Sequence, residues 1–390
     1  MKILILNCFS RNALAVINSI DSSYTIIGGV NHSKGYRKWM QKNLFYSKRL
    51  SQIEEYANPA EDKNQFFQDL IKICNRHKID AIFPTGTTAT NYLSYFKKDL
   101  QNQVKARILV EDYDTFSQLT DKWETYNLCK KIGIPVPKTV LFANKPETIE
   151  EIKQLSFPII AKPRISYASH GVLFFNTISE FQASIDKLTG FQDPGSDIHE
   201  PYIIQEVIQG SLHDVALCAY EGKPAMMLSQ QRVMTLRDFG GGGIINLTTY
   251  EPEMMEYAKG LIRELKWNGP ALFDFIKTKD NQYYLLEINP KIWGTTRLTV
   301  EAGMNLPQAM IDLFVLDKAF TEKTEYEKNL LYKWMFPECM AAWFLQPFSF
   351  DRILQRIKKS FNNYNASRVC TNIRSGDLRH LIGIILEKAN

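Results

Sequence analysis

The chain has 390 residues, 45% of them hydrophobic and 23% charged, enough for about two or three globular domains with cores of their own. Its formal net charge of +5 is spread along the sequence, which makes no case for nucleic acid as a partner. The opening MKILILN turns polar too soon for a signal peptide, and no run of 18 apolar residues occurs, so stable membrane insertion is not expected.

Taken in order, the first hundred residues alternate in the α/β manner. Strands are predicted at 3–6, 24–28 and 81–83, with helices at 13–20 and 66–76. Such alternation predicts a parallel sheet with ligands beyond the strand carboxyl ends. The turn at 7–12, NCFSRN, lacks G-x-G-x-x-G, which argues against a dinucleotide site. Residues 84–88, PTGTT, are either a place where backbone N–H groups meet an anion or a plain turn capped by threonine.

Residues 121–138, DKWETYNLCKKIGIPVPK, mark a change of domain. Asp121 with Glu124 forms a capping-box pattern, and Gly133, Pro135 and Pro137 stop the helix. Lys122 opposes the helix dipole, so it either points into solvent or faces an anion bound there. A strand at 157–162 ends in Lys162 before the loop 164–171, RISYASHG. That lysine is either a phosphate-reaching cation under a flexible lid or a solvated side chain. Residues 202–210 run from a strand into a glycine turn, and strands follow at 215–220 and 225–233. The four glycines at 240–243 carry a high ordering cost, which suits a loop that approaches a ligand or one that is disordered. A helix at 252–266 turns Met255, Ala258, Leu261, Ile262 and Leu265 to one side.

The stretch 271–293, ALFDFIKTKDNQYYLLEINPKIW, organises the rest. Folded as a hairpin centred between Asp280 and Asn281, it sets Asp274 opposite Glu287, with Asn289 on the same face. Facing carboxylates repel unless a cation lies between them. Two acids and an amide offer only oxygen, which suits hard ions such as Mg²⁺. Phe273, Phe275, Leu286 and Ile288 supply the apolar face, a division that a surface hairpin with scattered acids does not explain.

Together these residues resemble the ATP-grasp superfamily, of the carboxylate–amine ligase type distantly similar to biotin carboxylase and carbamoyl-phosphate synthetase. The resemblance covers residues 1–315. It rests on D-K-x-x-x-Y at 121–126, Lys162, Q-E-V-I at 205–208, and L-E-I-N-P-K at 286–291 with Asp274 upstream. It implies a preATP-grasp parallel α/β domain (1–118) and an ATP-grasp small subdomain with its linker (119–206). A large subdomain (207–318) and a helical C-terminal extension (319–390) follow.

The resemblance also implies roles. Lys122 and Lys162 hold ATP phosphates, and the loop through Ser169, His170 and Gly171 folds over them, although it is poorer in glycine than usual. Gln205 counts among the cofactor-binding residues, and Glu206, Val207 and Ile208 read the adenine edge through one side chain and backbone groups. Asp274, Glu287 and Asn289 bind two Mg²⁺ ions, with Mn²⁺ as the substitute. The family's ribose-binding glutamate is missing after Gly210, so His213 or Asp214 takes its place. Lys291 stands where the family often has arginine, keeping the charge but losing the fork. Arg232 and Arg297 are then the further candidates to hold a carboxylate or acyl phosphate, against a purely structural role.

The implied reaction joins a small-molecule carboxylate to an amine through an acyl phosphate, releasing ADP and phosphate. Rival readings on the same scaffold are an ATP-dependent phosphotransferase and a non-catalytic nucleotide-binding module. The 240–243 loop would cover the acceptor site. Six cysteines without paired spacing are expected as reduced thiols of a cytoplasmic protein. Beyond Phe314 the chain turns aromatic and basic, with helices predicted around 325–335, 350–360 and 378–388. Its aromatic residues read as core, homodimer contact or pocket cover, with membrane-surface contact ranked last.

Overall fold

The apolar runs of the first hundred residues form the expected parallel sheet. In a computed structural model, residues 1–32, 35–166, 171–189, 202–237, 241–344, 349–373 and 378–388 are described. The sheet contains β1 (Lys2–Ile5), β2 (Thr25–Asn31), β3 (Leu50–Tyr56), β4 (Ala81–Phe83) and β5 (Arg107–Ile108), in the order β3-β2-β1-β4-β5. Leu4, Ile27 and Ile82 pack against Phe66 and Leu70 of the Lys63–His77 helix, whereas Ile3, Ile5 and Phe83 face the opposite core. A central parallel strand must be apolar on both sides in this way. β3, LSQIEEY, buries only its two ends fully, so its sequence carries no hydrophobic run to announce it. Strand order reverses between β1 and β4, and the turns at 6–12 and 84–88 meet at that switch point.

A second sheet, β6 (Thr139–Leu141), β7 (Ile159–Pro163), β8 (Leu173–Phe175) and β9 (Tyr202–Glu206), is antiparallel in the order β6-β9-β7-β8. Phe142, Ile159, Phe175, Phe181 and Ile204 give it a core of its own.

The third sheet comprises β10 (Ser211–Tyr220), β11 (Lys223–Thr235), β12 (Gly243–Thr249), β13 (Gly269–Lys277), β14 (Tyr283–Asn289), β15 (Leu330–Lys333) and β16 (Arg368–Thr371). Its order is β14-β13-β10-β11-β12-β15-β16. Met254, Ala258, Leu261 and Ile262 of the Pro252–Glu264 helix belong to the core this sheet shares with the first one.

The C-terminal segment departs from the helical expectation. Residues 330–333 form β15, antiparallel to β12, instead of the predicted helix at 325–335. Ladder hydrogen bonds from a strand more than eighty positions away override the local pattern. The helices Phe350–Phe361 and Leu378–Lys388 stand near their predicted places. Tyr326, Tyr332 and Trp334 are core, while Phe344 and Phe350 are exposed. The last helix returns to the first sheet, where Gln41 Nε2 donates to the Gly383 carbonyl at 2.8 Å. Among the described residues no helix is long and apolar enough to cross a membrane, and all six cysteines are free thiols.

Candidate active site

The β13–β14 hairpin sets Asp274 across from Glu287. The pairing on the turn side of this point is offset by one, since Phe275 meets Leu285 and Leu286 is left out as a bulge. Leu285 therefore enters the core, correcting the assignment of Leu286 to that face. Asn289 Nδ2 lies 3.5 Å from Glu287 Oε1, on the face expected for it.

Two more strands extend this row. Asp214 on β10 stands across from Asp274, and Gln230 on β11 across from Asp214. Glu287, Asp274, Asp214 and Gln230 thus project from one face of four adjacent strands. Arg232 closes over them, with Nη2 at 2.6 Å from Asp214 Oδ1 and 2.5 Å from Asp274 Oδ1, and Nε donating to Asp214 Oδ2 at 3.0 Å. Gln230 Nε2 donates to Asp214 Oδ2 at 2.6 Å and to Thr295 Oγ1 at 2.7 Å.

The row's acids titrate in opposite directions. Burial raises the Asp274 carboxyl well above its ordinary value; Arg232 opposes this, while Asp214 and Glu287 add to it. Burial works against the Glu287 carboxylate as well, but Lys122, Lys162 and Arg232 hold it below the usual range. Among the described residues no group of three His, Cys, Asp or Glu side chains has metal-binding geometry, so the donor set here is two carboxylates and an amide. An all-oxygen donor set on one face fits a hard divalent cation such as Mg²⁺.

The lysines approach from the second sheet and its neighbouring helix. Lys162, near the end of β7, donates to Gln205 Oε1 at 2.8 Å, and Gln205 Nε2 in turn donates to Thr139 Oγ1 at 2.9 Å. Loss of hydration pulls Lys162 down to about 8 despite the opposing pull of Glu287, with Lys122 adding to the fall. Lys122 opens the Lys122–Ile132 helix and is buried, donating to Ser166 O and Oγ at 3.3 Å each. It sits at the root of the predicted phosphate loop and not in solvent. Ser169 and His170 lie outside the described residues; Gly171 resumes the chain at φ +72° with its carbonyl accepting from Tyr202 OH.

Several expectations need correction. Asp121 does cap its helix, accepting from the Trp123 N–H at 2.9 Å, but the reciprocal half of the capping box is absent. The Asp121 N–H is bonded to Ser117 O, and Glu124 lies 3.5 Å from Arg164, which also forks onto Asp121. The Thr87–Tyr95 helix has Gly86 as its N-cap, with no side-chain cap. Glycine is required there, since φ is +86° and a Cβ would come within 2.3 Å of Asn7 Nδ2. Glu206 turns its carboxylate to the Ser156 N–H at 2.8 Å, and the N–H groups of Glu206 and Val207 are bonded to Lys138 O and Pro158 O. That leaves Ile208 as the residue of this run whose N–H has no backbone partner among the described residues.

His213 and Asp214 fall on opposite faces of β10, as adjacent strand residues must. His213 packs behind the sheet, 3.0 Å from Ser211 Oγ and 3.8 Å from Glu251, and burial lowers its pKa. Asp214 is fully buried in the Arg232 ion pair. Neither presents itself to a ribose. Arg232 joins the acid row, but Arg297 is held by Glu301 at 2.8 Å and lines a separate small cavity with Leu14, Asn18, Tyr332 and Trp334. Lys291 bonds through Nζ to Thr87 Oγ1, and loss of hydration lowers it to about 8. Asp214 as a third acid of this row escaped the sequence reading, although an aspartate directly before the apolar run 215–219 was its available signal.

Residues 119–295 match the ATP-grasp domain family. The carbamoyl phosphate synthase large chain of Clostridium acetobutylicum is 22% identical over 60% of this chain, though the match spans only 22% of that protein. The D-aspartate ligase of Enterococcus faecium is 24% identical over 68% of this chain and 67% of its own length. Among solved structures, the biotin carboxylase–beta-gamma-ATP complex from Campylobacter jejuni superposes with a TM-score of 0.66 at 16% identity, covering 85% of this chain and 74% of that one. An L-amino acid ligase from Bacillus licheniformis gives 0.61 at 14% identity, covering 80% and 74%. At such identities the structural likeness concerns the fold.

Proposed function

We propose, from the match of residues 119–295 to the ATP-grasp domain family, that the chain is an ADP-forming carboxylate–amine ligase. The observation that carries this reading is the row Glu287–Asp274–Asp214, an acid-rich, largely buried face with Lys162 and Lys122 held against it. Its substrates are ATP, a small carboxylic acid and an amine. A substrate carboxylate oxygen attacks the γ-phosphorus, the bond to the bridging oxygen breaks, and ADP leaves. The amine nitrogen then adds to the acyl carbon, phosphate departs with the electron pair of the broken C–O bond, and an amide remains.

Phosphoryl transfer asks for alignment and charge neutralisation more than for covalent help. Lys162 and Lys122 supply positive charge to the phosphates, and Gln205 fixes the Lys162 ammonium in place. Two Mg²⁺ ions, with Mn²⁺ as substitute, would be held by Asp274, Glu287 and Asn289 and would neutralise phosphate charge. Arg232 keeps Asp214 and Asp274 in register, so its guanidinium serves the acid row first. Enclosure of the row limits water, which an acyl phosphate needs to survive. A cytoplasmic setting suits an ATP consumer with six free thiols.

Hydroxylamine trapping tests the reading. Protein, ATP, Mg²⁺ and pooled carboxylic acids are expected to yield an acyl hydroxamate together with ADP. Formation of AMP and pyrophosphate would sink the mechanism, and no turnover with any acid would return the scaffold to a binding role.

A further inference from the structure

Arg11 follows β1 as the first residue of the Arg11–Ile17 helix, and the turn it opens is tied to the far end of the hairpin. Asn12 Nδ2 donates to the Ile292 carbonyl at 3.0 Å. The Arg11 guanidinium lies over the Trp334 ring, 5.3 Å from its centroid. Gly242 and Gly294 press on it, since a Cβ at either would come within 2.7 or 2.1 Å of Nη2. Among the described residues it makes no hydrogen bond, and it remains partly open to solvent. Its environment does not reward the charge: desolvation lowers its pKa, Glu338 opposes that, and nearby Arg232 adds to it.

Stacking on Trp334 alone does not account for this arrangement. A cation–π contact leaves the N–H donors of the guanidinium unmade. The location is also specific. Arg11 follows β1 and Thr87 follows β4, so both stand at the switch point of the first sheet, where ligands of such sheets bind. Lys291 reaches Thr87 from the other side. The 241–243 loop links this crevice to the acid row, because Arg232 Nη1 donates to the Gly241 carbonyl at 3.3 Å while Arg11 rests on Gly242.

We propose that this crevice takes the amine substrate and that Arg11 binds a carboxylate on it, which makes that substrate an amino acid. The inference rests on the ligase reading. The acid that is phosphorylated must meet ATP at the lysines and the acid row, whereas a permanent guanidinium suits a carboxylate that stays ionised through the reaction. Its fork matches two carboxylate oxygens. Arg11, Arg232 and Lys291 together disfavour a fourth cation, so the bound amine is held neutral, as attack requires. In the coupling step the nitrogen lone pair forms the C–N bond and the C–O bond to phosphate breaks. The nitrogen's surplus proton leaves with the phosphate.

The test uses the full chain and the acid found by hydroxylamine trapping. Each amino acid is offered beside its own decarboxylated amine, and kcat/KM is compared. The parent is expected to favour the amino acid by about a hundredfold, the scale of a lost charge-assisted hydrogen-bond pair. Arg11→Gln is expected to shrink that preference to a few-fold, and Arg11→Lys to keep part of it. Equal use of decarboxylated amines or ammonia by the parent would overturn the inference without need of any variant. So would a preference that survives in Arg11→Gln. In either case a hydroxamate would leave the ligase reading standing, whereas failure of every acid to give one would remove that reading and this inference with it.

Discussion

Asp274 faces Glu287 because the β13–β14 ladder slips by one residue at Leu286. Near the turn Lys277 pairs with Tyr283 and Ile276 with Tyr284, a register that would carry Asp274 onto Leu286 if it continued. The bulge shifts it by one position and brings acid against acid. Bulges re-aim side chains in this way beside functional sites. The symmetric hairpin expected from sequence reached the same pair by a different register.

If this pair holds the metal, Asp274→Asn and Glu287→Gln should each lower Mg²⁺-dependent ADP release by about a hundredfold or more. Turnover is the readout, with thermal unfolding alongside to exclude collapse. Undiminished turnover in both variants would dismiss the metal hairpin.

Arg232 is expected to matter for stability as well as activity. Asp214 and Asp274 are 0% and 5% exposed, so Arg232→Met leaves two buried acids without their counter-charge. The loss should be about 3–5 kcal/mol in urea unfolding. Millimolar Mg²⁺ should restore part of it by replacing the missing positive charge. A loss under about 1 kcal/mol would mean the acids find another partner.

ATP affinity should depend on pH through Lys162. Its pKa lies at about 8, so the free protein loses this charge as pH rises through that value. Phosphate binds the ammonium form, hence affinity measured by calorimetry should fall between about pH 7 and 9.5. Lys162→Arg stays charged and should lose its share of the slope, while Lys162→Ala should bind ATP weakly throughout. Parent-like binding by Lys162→Ala would refute the phosphate assignment.

His380 should make the fold acid-sensitive. It stacks on Phe9 at 5.4 Å, accepts from the Ser47 N–H through Nδ1, and is pulled by burial to about 4, only partly offset by the Cys8 backbone. The unfolded chain therefore binds this proton first. Stability is fully present above about 6.5 and is lost as pH falls toward 4, by about 2 kcal/mol at pH 5. Urea midpoints at pH 7.5 and 5 should differ less for His380→Gln than for the parent. An identical pH dependence in the two proteins would count against a buried neutral His380.

Sequence alone determined the features that are local. β/α alternation predicted the first sheet, and period-two alternation put Asp274, Glu287 and Asn289 on one face. The strand-terminal position of Lys162 was equally legible, because each of these patterns repeats within a few residues. Tertiary structure alone decided what joins distant segments. It placed Asp214 beside Asp274, gave Arg232 to both, sent His213 behind the sheet, and made residues 330–333 a strand held between β12 and β16. It also brought the β1 turn against the end of the hairpin, across 280 positions between Asn12 and Ile292. Ladder register and domain packing couple residues with no shared local period, so no window along the chain could have shown that Arg11 rests against Gly242 and Gly294.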